Sequence, residues 1–346
     1  MKTKKSTTLY IIGNGFDLYH GLDTKYQSFA FYLQDKHTRI HEYLIRYYGL
    51  PELDRRNKDS QWNPEWAQFE KALADLNFEE VLEDNSDYAA NPSSEDFRDR
   101  DWHTYQFEME GIVDLLTYDL RKAFKEFILA VQFPPNADGK LLAFDRDSVF
   151  ISFNYTNTLE RFYRIKLEQI LYIHGRALNN DDDLILGHGV NPESFKPKEK
   201  VAPEGLSDEE YQEWLEHMGD DYDYSFDQAQ KEILSYFDKS HKSTSEVIQQ
   251  HQHFFDELCE VEKVVILGHS LADVDKAYLE KVVQAVSSRC WLVRFLGCKK
   301  VAWMATYYKD SERDERIEKL LAIGVKKKQI QLVKIEELKP KQPTLF

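Results

Sequence analysis

The chain has 346 residues, 42% of them apolar, and its 45 Lys and Arg against 61 Asp and Glu leave a formal charge of -16. Such a chain is globular rather than disordered, as one large domain with insertions or as two domains. The acidic balance disfavours nucleic acid, which needs clustered Lys and Arg, but backbone N–H groups can still hold a small anionic ligand.

Cys259, Cys290 and Cys298 are too few and too irregular for a disulfide framework, and no Cys-x-x-Cys pair suggests zinc. A cytoplasmic, reducing setting is expected, with no metal. The basic start runs into an apolar stretch that breaks at Gly13, too short for a signal-peptide core. Nowhere do about 18 apolar residues run together, so no membrane span is expected.

Taken in order, short apolar runs predict strands near 8–13, 148–153, 169–174, 263–268, 291–296 and 329–334. A helical region over 26–48 follows Thr24, a plausible N-cap, and a short helix surrounds Trp66 to Leu73. The set Phe107, Ile112, Leu115, Leu116, Leu120, Phe124, Phe127, Ile128 and Val131 predicts one helix over 103–131, stopped by Pro134 and Pro135. Ser207 to Glu210 reads as a capping box opening a short acidic helix, helical period resumes over 226–260, and a last helix covers 310–322. The fold class is therefore α/β, a Rossmann-like parallel sheet with flanking helices. It is read as one domain over 1–346, with a helical insertion at about 50–131 and an acidic insertion or lid at about 176–225.

Four of the runs end on small or polar clusters: Gly13-Asn14-Gly15-Phe16-Asp17, Asn154-Tyr155-Thr156, His174-Gly175 and Gly268-His269-Ser270. Open α/β sheets bind ligands outside the carboxyl ends of their strands, which makes these clusters one candidate site. Gly13 and Gly15 allow close approach to a pyrophosphate, but Leu18 stands where a third glycine is expected, against an ordinary dehydrogenase site. Asp17 is either a ribose-hydroxyl acceptor or a helix-start residue. Asn154 is either a turn former or an amide that holds a ribose hydroxyl or a water, and His174 is either structural or a proton acceptor.

Gly268-His269-Ser270-Leu271-Ala272 is similar to a nucleophile elbow, but no histidine follows His269, which excludes an esterase triad of the usual order. Ser270 is better read as a phosphate or ribose contact, with Asp273 and Asp275 capping the next helix or touching ligand. His251 and His253, with His241 nearby, suggest a metal site, but two residues apart on a predicted helix they point to different sides and read as solvated, and Gly187-His188-Gly189 is a loop with no evident partner.

Together these clusters resemble the bacteriophage abortive-infection AbiH family. The resemblance rests on Ile12 to Asp17 with Gly21, Thr24 and Tyr26, on Trp66 with Phe69-Glu70, on Phe153-Asn154-Tyr155-Thr156, on Ile173-His174-Gly175, and on Gly268-His269-Ser270 with Asp275. More distantly it is similar to sirtuin-like NAD-binding domains of bacterial defence systems, lacking the zinc-binding cysteines of deacetylating sirtuins. It implies NAD as ligand or substrate, Asn154 and His174 as catalytic pair, and Gly13, Asn14, Gly15, Phe16, Asp17, Tyr155, Thr156, Gly268, His269, Ser270 and Asp275 around the nucleotide.

The expected activity is phage-triggered hydrolysis of NAD to nicotinamide and ADP-ribose; the alternative is a nucleotide-binding sensor without turnover. Its partners would be a small-molecule nucleotide, a phage-derived trigger protein and, in a homo-oligomer, further copies of itself.

Overall fold

Six runs form one parallel sheet: β1 (Thr7–Ile12), β2 (Val149–Ser152), β3 (Ile170–Tyr172), β4 (Val261–Leu267), β5 (Ala302–Tyr307) and β6 (Ile330–Lys334). Their order, β3-β2-β1-β4-β5-β6, is that of a Rossmann-like doubly wound sheet, with the reversal of direction between β1 and β4. The computed structural model describes residues 7–57, 63–137, 139–145, 147–179, 183–197, 202–203, 205–207, 209–214, 223–288 and 301–340.

The central strands are apolar throughout because both faces are covered. Leu9, Ile11, Ile151, Val264 and Ile266 enter a core on one face with Leu279 and Val282 of the helix Lys276–Ser287. Tyr10, Ile12, Phe150, Val265 and Leu267 enter another on the opposite face, as the two-residue period of a strand requires. Strand β5 runs through Trp303 and Met304, outside the strands expected from sequence, while the strand expected at 291–296 lies outside the described residues.

Contacts divide the chain into two compact units, Met1–Tyr32 with Ala123–Gly189 and Lys242–Phe346, and Leu33–Lys122 with Val190–His241. The first contains the sheet. The second is helical, with Tyr236 donating to the Leu73 carbonyl at 2.8 Å and Trp66 stacked on Phe69. There the Glu210 N–H donates to the Ser207 hydroxyl at 3.3 Å and Glu210 accepts from the Ser207 N–H at 2.8 Å, which is the reciprocal cap expected from sequence. Among the described residues no helix is long and apolar enough to cross a membrane.

Three helices differ from the expectations. The region 26–48 is two helices, Tyr26–Lys36 and Thr38–Tyr48, and the Thr24 hydroxyl before the first of them donates to the Asn14 side chain at 2.5 Å. The helix expected over 103–131 has a π turn at Leu115–Asp119 between Thr104–Asp114 and Leu120–Ala130. Within Thr104–Asp114, Tyr105 and Met109 lie seven and three residues before Ile112 on its face and are buried, whereas Phe107, five before it, is off that face and 61% exposed. The region 226–260 is broken into Tyr224–Lys239, Thr244–Gln250 and Gln252–Glu257, and Lys242 falls in the first gap.

Register sets the site. Ile12 pairs with Ser152 and with Leu267, and Ser152 with Tyr172, so the four strands end in one row. The turns after β1 and β4 then pack backbone on backbone. The Gly13 N–H donates to the Leu267 carbonyl at 3.0 Å and the Gly15 N–H to the Gly268 carbonyl at 2.8 Å. Gly268 has φ +64°, and a Cβ there would lie 2.2 Å from the Phe16 nitrogen. Gly268→Ala is therefore expected to cost at least about 3 kcal/mol, combining left-handed strain with overpacking. Gly139→Ala, with φ +70° but nothing within 4 Å of the added atom, should cost only about 1 kcal/mol. Unfolding of the two variants side by side checks this, and equal losses would show that the two turns do not need to touch.

Candidate functional site

Two residues beyond the row of strand ends lie Asn154 and His174, with Gly13 and Gly268 one residue beyond it. Phe153 is at the centre, its ring 5.3 Å from His174, 4.3 Å from His269 and 5.9 Å from Tyr278. Tyr155 closes over His174 at 6.0 Å, and its hydroxyl donates to the Ile185 carbonyl at 2.8 Å. Gly175, at φ +84°, lets the chain near Asp183 come this close, since a Cβ there would meet the Asp183 carbonyl oxygen at 2.4 Å. The four sequence clusters thus converge, and each supplies buried side chains: Asp17, Asn154, His174 and His269.

Asp275 links the imidazoles. His174 Nε2 is 3.4 Å from its Oδ1 and His269 Nε2 is 3.4 Å from its Oδ2. Lys242 Nζ, on a fully buried side chain, is 3.8 Å from Oδ1. Burial raises the Asp275 pKa, but the ammonium, the hydrogen bond from His269 and the His174 imidazole together hold it well below the usual carboxylate range. His174 moves the other way from an ordinary imidazole, to about 3, because burial and the Lys242 charge outweigh the attraction of Asp275. His174 is thus a neutral imidazole at physiological pH. Sequence reasoning missed Lys242, which no motif marks. The loop Gly187-His188-Gly189 carries it, since the Lys242 N–H donates to the His188 carbonyl at 2.8 Å.

Asp17 forms a second buried group. It accepts from Thr156 at 2.6 Å and from Thr158 at 2.7 Å, which binds the turn after β1 to the turn after β2. No cation faces it among the causes of its shift, and burial carries its pKa up to about 6 despite these bonds. The Asn154 amide lies near enough to favour the Asp17 carboxylate, yet neither amide atom meets hydrogen-bond geometry with any group, and Asn154 is only 5% exposed. An orphaned buried amide costs about 1–3 kcal/mol.

The other residues of the expected site differ in exposure. Asn14 is exposed and its amide donates to the Thr24 carbonyl at 3.0 Å, while Phe16 is core, 4.4 Å from the ring of His20. Ser270 is exposed, its carbonyl accepting from Lys319 at 3.2 Å, and Arg316 donates to the His269 carbonyl. Gly13 and Gly15 face Gly268 and His269, so their lack of a side chain is accounted for by the opposing turn. Among the described residues no group of three or more His, Cys, Asp or Glu side chains is arranged to hold a metal.

The raised pKa of Asp17 has a sign that can be measured. Between its ordinary value of 3.8 and about 6 the folded protein binds the extra proton, so this contribution to stability is present at low pH and lost as pH rises to about 6. His174 acts oppositely throughout that window, because its depressed pKa makes stability rise with pH from about 3 to 6.5. The difference between Asp17→Asn and the parent chain isolates the first effect. It should move in favour of the variant by about 2 kcal/mol between pH 4 and pH 7. A difference independent of pH would mean that the Asp17 carboxyl has its ordinary affinity for protons.

A profile of the family described as "Bacteriophage abortive infection AbiH" matches residues 9–295, well over half of the 346-residue chain. No curated protein and no solved structure matches the chain significantly. The matched span takes in all four strand-end clusters, Lys242 and Asp275. The chain belongs to the bacteriophage abortive infection AbiH family.

Proposed function

We propose that the cluster beyond β1, β2, β3 and β4 is an NAD-cleaving site, used in abortive infection to hydrolyse NAD to nicotinamide and ADP-ribose. The observation that carries this reading is the Asn154 carboxamide, buried at a strand end with both polar atoms unpartnered, on the strand next to the one that ends at a neutral His174. A stability-neutral sequence would fill that position with an apolar residue; an amide that can both donate and accept is suited to a ribose hydroxyl or a water. Clustered cost at one place is the mark of a functional site.

Cleavage of the bond between nicotinamide and ribose proceeds through an oxocarbenium-like transition state, and nicotinamide departs neutral with the bonding electron pair. Water supplies the new bond to the sugar carbon. Asn154 orients that water or the ribose, and His174 takes the proton the water releases. An imidazole with its affinity for protons lowered to about 3 is a weak base, which suits an electrophile that needs little activation of its nucleophile. The Ser270 turn, exposed beside Lys319 and Arg316, is the side from which the phosphates would be held.

The burial of Asn154 and His174 at 5% and 2% is what a toxin silent until infection requires. It equally favours a second reading, a nucleotide-binding sensor without turnover. Purified protein and infected cells, assayed for nicotinamide release and for NAD binding by calorimetry, separate the two. Asn154→Ala and His174→Ala should each lower turnover at least about 100-fold. Asn154→Ala should do so at a stability cost below about 1 kcal/mol, since no hydrogen bond is lost. Equal turnover by the parent and both variants overturns the assignment, and binding without turnover during phage challenge makes the protein a sensor.

A further inference from the structure

The deepest side chain of the cluster has no place in the reaction just described. Lys242 is fully buried, and such an ammonium is tolerated only beside a counter-charge. Asp275 stands at the end of a short turn, Asp273–Asp275, that leads into the helix Lys276–Ser287. It meets His174 from the β3 turn, His269 from the β4 turn and Lys242 from the gap between helices. Phe153, Tyr155 and Tyr278 fill the remaining contacts of His174.

The groups that face each ring nitrogen place the ring protons. The Leu271 N–H donates to His269 Nδ1 at 2.9 Å, so that nitrogen is bare and the proton is on Nε2, towards Asp275. Leu271 takes a left-handed φ of +55° in the same turn. His174 Nε2 and the other oxygen of Asp275 are 3.4 Å apart, outside hydrogen-bond geometry; a bare nitrogen facing an ionised carboxylate oxygen at that distance would be repelled, which favours the His174 proton on Nε2 as well. The lone pair of His174 is then on Nδ1.

We propose that Asp275 and Lys242 are positioning residues: Asp275 holds His174 with its proton on Nε2 and its basic lone pair on Nδ1, and the Lys242 ammonium keeps Asp275 ionised so that it can do so. This rests on the catalytic role given above to His174, although the arrangement of protons stands without it. Asp275 is thereby assigned to the imidazoles rather than to the nucleotide. The burial and the ammonium that lower the proton affinity of His174 also make it a fixed neutral ring rather than a switch.

Histidine-selective nitrogen-15 NMR of the intact protein, without NAD, tests the arrangement directly. The parent chain should show His174 neutral from pH 5 to 8 with its proton on Nε2, and the His269 proton on Nε2. Asp275→Asn, whose amide can donate to His174 Nε2, should move the His174 proton to Nδ1 and lower kcat by about 100- to 10,000-fold with KM little changed. Lys242→Met should raise the pH at which His174 takes up a proton, and Lys242→Arg should return it to the parent's behaviour. A parent His174 protonated on Nδ1, or titrating near 6.5, overturns the proposal even if the variants fail to fold. So does a tautomer unchanged in Asp275→Asn. The predicted tautomers in a protein that never cleaves NAD would leave this arrangement standing and remove the hydrolase reading alone.

Discussion

The contact on which the site depends is between two stretches of bare backbone. Gly15 and Gly268 face each other closely enough that a Cβ on either would lie less than 3 Å from the other's main chain. The strands before them are neighbours at the reversal point of the sheet, where the two turns leave in opposite directions and a crevice normally opens. Here the turns close that crevice at its base. Beyond this contact the helix Asn14–His20 begins at once and brings Asp17 to Thr156 after β2, and after Gly268 the Leu271 N–H donates back to the His269 ring.

Asp17 and Asp275 are both buried carboxylates in this one region, and their affinities for protons move in opposite directions. Burial acts upward on each. Two hydroxyl donors do not offset it for Asp17, whereas an ammonium and two imidazoles more than offset it for Asp275. The difference follows from Coulomb attraction in a poorly screened interior, where one full charge outweighs several neutral dipoles. It also explains why Lys242 has to be buried. An exposed ammonium at greater distance would be screened by water and would leave Asp275 in the condition of Asp17.

The strand ends could be read from sequence because the four strands that carry them are apolar on both faces and stop abruptly at glycine or polar residues. Phe150-Ile151-Ser152 before Asn154 and Val264 to Leu267 before Gly268 are instances. β5 mixes Ala, Trp, Met and Thr and gives no such run, although its Thr306 hydroxyl accepts from the Gly268 N–H at 2.9 Å and so steadies the second turn. Lys242 was illegible for a different reason. One lysine among helical residues is ordinarily solvated, and only the break at 240–243 and the His188 carbonyl direct it inwards. The pairing of Asn14 with Thr24 was hidden in the same way, since a threonine before a helix has the composition of a cap whether or not it serves as one.

Strain in this unit is concentrated rather than spread. Leu271 adopts a conformation costly for a side chain with a Cβ, Asn154 buries an amide without partners, and Asp17 buries a carboxyl without a cation. Leu271 and Asn154 lie in the turns after β4 and β2 and Asp17 in the first turn of the helix after β1, while the core residues Leu9, Ile11, Val264 and Ile266 of the strands are packed with no exposed surface. Selection for stability alone would remove each cost by a single substitution, because none of the three is needed to bury the sheet. Their persistence at adjacent strand ends argues that these turns are kept for what they do to a bound molecule, while the apolar sheet beneath supplies the stability they lack.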